Sequence, residues 1–147
     1  MIAIGCDHGG LELKNAIIAH LEERNIEYKD FGIYENHSVD YPDIAMPVCK
    51  SVQSGEAEKA ILVCGTGIGM SIAANKLKGI RAAVCTDHFS TRFTRLHNNT
   101  NVLCLGGRVL GPGLALELTD LFLDTPFEGG RHQTRIDKIA DIENGGC

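Results

Sequence analysis

Apolar residues recur along this chain in two alternating rhythms. Residues 2–6 form a short apolar run, and Leu13, Ile17, Ile18 and Leu21 follow at helical spacing to about Arg24. The same strand-then-helix order then repeats. Residues 26–31 read as a second strand, and their weaker alternation suits a sheet edge. A polar loop over 32–42 carries Tyr34, His37, Asp40 and Tyr41. Beyond it Ile44, Ala45, Val48 and Val52 mark a helix, with Asp43 as N-cap, Pro47 in the first turn and Ser54-Gly55 at the end. Residues 60–63 form the third strand, followed by Cys64-Gly65-Thr66-Gly67-Ile68-Gly69 and a helix to Lys78 that Gly79 closes. The fourth strand covers 80–85, and its helix runs over 89–96 to end around His97-Asn98-Asn99. The fifth covers 102–105, then Gly106-Gly107-Arg108 and a helix from Pro112 to about Leu123, stopping before Pro126. After the break Glu128-Gly129-Gly130, a last helix over 131–143 carries Ile136, Ile139 and Ala140 on its apolar side. The tail Asn144-Gly145-Gly146-Cys147 is expected to fray.

Five strand–helix units with short connections predict an α/β fold: a three-layer α/β/α sandwich around a five-stranded parallel, Rossmann-like sheet. Crossovers should be right-handed, and ligands should bind at the carboxyl ends of the strands. With no linker, repeat or low-complexity stretch in view, residues 1–147 read as a single domain.

Composition narrows the function. Hydrophobic residues make up 44% of the 147, enough for a packed core. The net charge of -5 argues against general nucleic-acid binding, and an anionic ligand would need a local basic cluster. No run reaches transmembrane length, and the N-terminus reads directly as a strand without a signal peptide's basic start. None of the six cysteines forms a C-x-x-C pair, so zinc-ribbon and thioredoxin readings lack support. Reduced, mostly buried thiols in a cytoplasmic protein are the simplest account.

The loop after the third strand is the centre of the candidate chemistry. Its glycines turn the backbone tightly and leave amides open beside a helix N-terminus, where an anion is attracted. Cys64 at its mouth is expected to be a better base or nucleophile than an ordinary cysteine; the alternative is a buried structural thiol. Gly65-x-Gly67-x-Gly69 with Asp87 about 20 residues on also resembles a dinucleotide fingerprint, but Met70 departs from that pattern and no Walker lysine is present. Asp7-His8 lies on the same sheet edge and can move protons at a sugar oxygen, or simply form an Asx-turn with His8 exposed. Arg131 and Arg135, four apart at a helix start, oppose the dipole and repel each other. Either an anion such as phosphate or pairing with Glu128 or Asp137 accounts for them, and Arg108 is placed to join the phosphate pocket. His97 should lie at the far edge, as a helix-capping histidine or as a contribution to a neighbouring subunit's site.

Cys6-Asp7-His8-Gly9-Gly10, Asp40-Tyr41-Pro42, the Cys64 loop with Ser71 to Lys76, His97-Asn98-Asn99-Thr100-Asn101 and Gly129-Gly130-Arg131-His132-Gln133-x-Arg135 together resemble the type B ribose-5-phosphate isomerases, a family that includes galactose-6-phosphate isomerase subunits. The resemblance covers essentially the whole chain. It implies an aldose–ketose isomerase without metal or nicotinamide, interconverting ribose 5-phosphate and ribulose 5-phosphate through an enediolate. On that resemblance Cys64 is the base, Thr66 assists at the sugar oxygens, and the amides of Gly65, Gly67, Ile68 and Gly69 hold the enediolate. Asp7 and His97 help open the furanose ring, Asn98 binds the substrate and Tyr41 lines the pocket. His8, Arg108, Arg131 and Arg135 take the phosphate. The family's sites are shared between subunits of a homodimer, with a tetramer also open. Some members place a glutamate just after the loop; Met70 stands there here, so this chain resembles the cysteine branch. Two other readings remain: the same chemistry on galactose 6-phosphate or allose 6-phosphate, and a non-catalytic nucleotide-binding module.

Overall fold

Successive residues of the three central strands bury on opposite faces of one sheet. The computed structural model describes residues 1–146. Its elements, in chain order, are β1 (Ile2–Cys6), α1 (Leu11–Glu23), β2 (Tyr28–Asp30), α2 (Tyr41–Gln53), β3 (Lys59–Cys64), α3 (Ile68–Ala74), β4 (Ala82–Val84), α4 (His88–Asn98), β5 (Val102–Gly106), α5 (Pro112–Asp124) and α6 (Arg131–Glu143). Ile2, Ile4, Ile61, Val63, Leu103 and Leu105 meet Leu13, Ile17, Leu118 and Phe122 of α1 and α5 on one face. Ala3, Ala60, Leu62, Val102 and Cys104 meet Ala45, Val48, Met70 and Ala74 of α2 and α3 on the other. This strict period-two division is what a sheet covered on both faces requires.

The five strands are all parallel, in the order β2-β1-β3-β5-β4. The expected α/β/α layering is therefore present. β1 and β3 are neighbours, but their following helices, α1 and α3, cover opposite faces. The chain thus opens a crevice at the carboxyl ends of these two strands.

Several boundaries differ from the sequence reading. α2 begins at Tyr41 with Asp40, not Asp43, at its N-cap. Pro42 falls at the second helical position, where a missing N–H leaves no hydrogen bond broken, so Pro47 lies inside the helix on its exposed side. α3 stops at Ala74 instead of Lys78. There the Asn75 side chain donates to the Ala82 carbonyl (2.9 Å) and accepts from its amide (2.8 Å), tying the chain to β4 and diverting it from the helix. β2 and β4, both edge strands, are shorter than their apolar runs. Asn144 to Gly146 are not frayed: their amides bond back to Ala140, Ile142 and Asp141. Cys147 lies outside the described residues.

Lys14 on α1 is fully buried, although it is charged. Its ammonium donates to both carboxylate oxygens of Asp30 (2.8 and 2.7 Å) and to the Ile33 carbonyl (2.8 Å). The Cys6 amide donates to Gly32 O (2.7 Å) and the Ile33 amide to Cys6 O (3.0 Å), so this buried ion pair fixes the turn beside the carboxyl end of β1.

Candidate active site

Three glycine-containing turns converge where β1, β3 and β5 end. After β1, Asp7 is buried and its amide donates to Val63 O (3.1 Å). Its Oδ1 accepts the Gly9 amide (2.8 Å), and the Gly10 amide donates to its carbonyl (3.1 Å). The Asx-turn expected as an alternative is therefore present, and it holds the carboxylate at the sheet edge. After β5, the Gly107 amide donates to Cys64 O (2.7 Å) and the Arg108 amide to Gly65 O (3.0 Å). These bonds lock the third turn against the second. Backbone packs directly on backbone: a Cβ on Gly10 would strike the Val63 carbonyl, and one on Gly107 would strike Gly9.

Cys64 ends β3 and is buried. Gly67 adopts φ +80°, a left-handed conformation that glycine reaches without a Cβ penalty, and its amide donates to Cys64 Sγ (3.1 Å). The Ile68 amide donates to Thr66 Oγ1 (3.2 Å). The amides of Gly65, Thr66, Gly69 and Met70 have no acceptor among the described residues. Tyr41 stacks close to Gly69, where any Cβ would meet its ring, and the Arg108 side chain lies over Gly65. His8 is exposed, its Nδ1 accepting the Val39 amide (3.4 Å), so the loop before α2 reaches across to it.

Burial pushes the Cys6 thiol up to about 11 and that of Cys49 up to about 12, and raises Cys85 and Cys104 as well. Desolvation disfavours their thiolates, so they are structural, as the sequence suggested for most of them.

His97 and Asn98 sit elsewhere. Arg81, just before β4, donates from Nε to the carbonyls of Asn98 (3.1 Å) and Asn99 (3.0 Å), which fixes the end of α4 at the amino edge of the sheet. The His97 ring stacks on His132 of α6 (centroids 4.0 Å apart, planes at 11°). Glu128 Oε2 lies 3.3 Å from His132 Nε2 and 3.8 Å from His97 Nε2. Glu128 thus faces the imidazoles instead of pairing with an arginine, and Asp137 accepts from Gln133 (2.8 Å). Among the described residues Arg131 and Arg135 make no ion pair. Within one chain, then, Asp7, His8, Tyr41, Cys64, Thr66, the loop glycines, Ile68 and Arg108 gather at one edge, while His97 and Asn98 lie at the other with the start of α6.

The contact between the turns after β1 and β5 escapes sequence reading, although paired glycines at both strand ends are its signal. Asp87, the acidic partner of a dinucleotide fingerprint, instead caps α4, accepting the Ser90 amide at 2.7 Å. β5 also separates its strand from β3. The geometry gives the nucleotide reading no support.

A cysteine on a glycine turn, with a carboxylate, an imidazole and an arginine on the adjoining turns at the switch point of a parallel sheet, is the arrangement of a small-molecule enzyme site of the α/β class. The chain belongs to the ribose/galactose isomerase family, whose pattern it matches over residues 2–139. It is 50% identical to ribose-5-phosphate isomerase B of Escherichia coli K12, over 97% of this chain and 95% of that one. The structure of Clostridium thermocellum ribose-5-phosphate isomerase B superposes with a TM-score of 0.97 at 52% identity, covering 98% of this chain and 97% of that one. That of the Mycoplasma genitalium enzyme, solved with bound ribulose-5-phosphate, does so at 0.93 and 41%, covering 97% and 95%. No helix among the described residues is long and apolar enough to cross a membrane.

Proposed function

We propose that this chain, as one domain over residues 1–147, is an aldose–ketose isomerase interconverting D-ribose 5-phosphate and D-ribulose 5-phosphate. The observation that carries the reading is Cys64 Sγ held by the Gly67 amide beside unpaired loop amides. As thiolate, Cys64 takes the C2 proton of the open-chain aldose, and the electron pair moves into the carbonyl to form an enediolate. The thiol then returns that proton to C1, giving the ketose with no net change in atoms or electrons. The unpaired amides of Gly65 and Gly69 face the oxygen on which charge develops, where preorganised donors are worth most, while those of Gly67 and Ile68 hold Cys64 Sγ and Thr66 Oγ1 beside it. Thr66 shuttles the proton between the sugar oxygens, and Tyr41 closes the pocket over Gly69. Asp7 supplies one end of the acid–base pair that opens the furanose.

The other end comes from a second copy of the chain. His97 and Asn98 are at the wrong edge for their own loop, which supports a homodimer with shared sites. Arg131 and Arg135, without an ion pair among the described residues, travel with them and take the phosphate together with His8 and Arg108. Exposed apolar side chains are available for the contact: Phe89 stacked on Phe93 (4.3 Å), Ile68 and Ile72 on α3, and Ile139 and Ile142 on α6. Free buried cysteines suit a cytoplasmic enzyme, placed at the pentose phosphate step of sugar metabolism.

The family's description spans ribose and galactose substrates, so a six-carbon phosphosugar is the second reading. Measuring kcat/KM on ribose 5-phosphate, allose 6-phosphate and galactose 6-phosphate decides between them. The highest value is expected on ribose 5-phosphate. A hexose phosphate leading by tenfold would replace the substrate, and no turnover on any of them would remove the isomerase reading.

A further inference from the structure

His97, Glu128 and His132 present three metal-ligating atoms that all lie within 4.8 Å of one another. Four-coordinate zinc holds nitrogen and oxygen ligands at about 2.0–2.1 Å, which places neighbouring ligands roughly 3.3 Å apart by the tetrahedral angle. Glu128 Oε2 already stands 3.3 Å from His132 Nε2, and its 3.8 Å separation from His97 Nε2 needs half an ångström of closure. The two rings are nearly parallel, so coordination must tilt them towards a common point.

The three residues are anchored by backbone as well as by side chain. The Glu128 amide donates to Leu96 O (3.1 Å), tying the segment before α6 to the last turn of α4, and the His132 amide donates to Gly129 O (3.1 Å). The edge of the Phe93 ring packs on His97 at 5.0 Å between centroids. His132 is mostly covered, while Glu128 is half exposed, which leaves an entry path for an ion and a fourth position for water.

We propose that His97, Glu128 and His132 form a three-ligand site for a divalent cation of zinc type, separate from the Cys64 loop of the same chain. Two imidazoles and one carboxylate suit zinc, copper or nickel and disfavour magnesium, which demands oxygen ligands. Occupation takes the Nε2 lone pair of His97. If His97 opens the furanose ring, as proposed above, bound zinc slows the reaction of the closed sugar by removing that group from proton transfer.

Isothermal titration of the full chain with zinc chloride, and separately with magnesium chloride, tests the site. One zinc per chain with micromolar affinity and no magnesium heat is expected. Glu128→Gln and His132→Ala should each weaken zinc by more than about tenfold, because two ligands chelate far less well than three. Cys64→Ala should leave zinc binding within twofold of wild type. Absence of a zinc isotherm, or zinc that is lost with Cys64→Ala and indifferent to Glu128→Gln and His132→Ala, overturns the site. Isomerase assays with zinc then separate the two ideas. Binding together with inhibition supports both, whereas binding without inhibition keeps the metal site and removes His97 from ring opening.

Discussion

The amide of Gly67 donates a 3.1 Å hydrogen bond to Sγ of Cys64, across a turn of three residues. The Gly67 N–H reaches back to the end of β3, and the left-handed φ of Gly67 then turns the chain into α3. The bond fixes the sulfur at the mouth of the loop, where the proposed proton transfer takes place. Cys64→Ala removes the sulfur with little change in volume, so the variant should fold normally. Its circular dichroism should match wild type, while kcat falls by about 10³-fold, as expected when a general base is deleted. A variant that keeps a tenth of wild-type kcat would take Cys64 out of the reaction.

Thiol chemistry should be selective. Cys6, Cys49, Cys85 and Cys104 are buried with raised values, and Cys64 alone among the described cysteines accepts an amide hydrogen bond. Brief iodoacetamide treatment at pH 8, followed by peptide mass spectrometry, should find Cys64 modified before these four. Earlier labelling of Cys49 or Cys104 would mean that the core opens more readily than its packing implies.

The same burial sets an alkaline limit on stability. These thiols ordinarily titrate at 9.0; in the fold Cys6 is pushed to about 11 and Cys49 to about 12. Below 9 both folded and unfolded chains carry neutral thiols, and stability is unaffected. Between 9 and the raised values only the unfolded chain ionises, so stability falls as pH rises. Each such thiol steepens the loss by about 1.4 kcal/mol per pH unit. Urea midpoints at pH 8 and pH 10 should differ accordingly, and less so in Cys49→Ala relative to its own pH 8 value.

Lys14 and Asp30 form a buried pair whose breakage should be costly. Lys14→Ala strands the Asp30 carboxylate and the Ile33 carbonyl without their donor, and a loss of about 3 kcal/mol or more is expected. Chemical denaturation reads this directly. A loss below about 1 kcal/mol would mean that water replaces the ammonium in full.

A shared site can be tested by complementation. Cys64→Ala and His97→Ala chains, each inactive alone, should recover about a quarter of wild-type activity on equal mixing, since half the dimers are hybrid and each hybrid holds one intact site. No recovery after demonstrated subunit exchange would return both residues to independent roles.

The strands and the Cys64 turn are legible in sequence because their signals are local: a period of two, glycines at forced turns, and a cysteine in the mouth of one of them. The start of α2 and the end of α3 are not. Pro42 looks like a stop but costs nothing at the second helical position, and Asn75 ends its helix through bonds to Ala82, seven residues away. Lys14 reads as a surface charge, although its phase with Ile17 and Leu21 puts it on the buried face of α1. The His97–His132 stack depends on how α6 docks on α4, which no spacing within either helix encodes.

The floor of the crevice, where Gly9, Gly10 and Gly107 press carbonyl against Cα, has an unusual sensitivity. Removing side chains cannot damage it, because it has none to remove. Here an alanine is an insertion: one methyl group wedges two strand ends apart and shifts Asp7 and Arg108, on either side of it, together. Substitutions in the walls are felt through the groups they remove, whereas the floor is felt through any atom added to it.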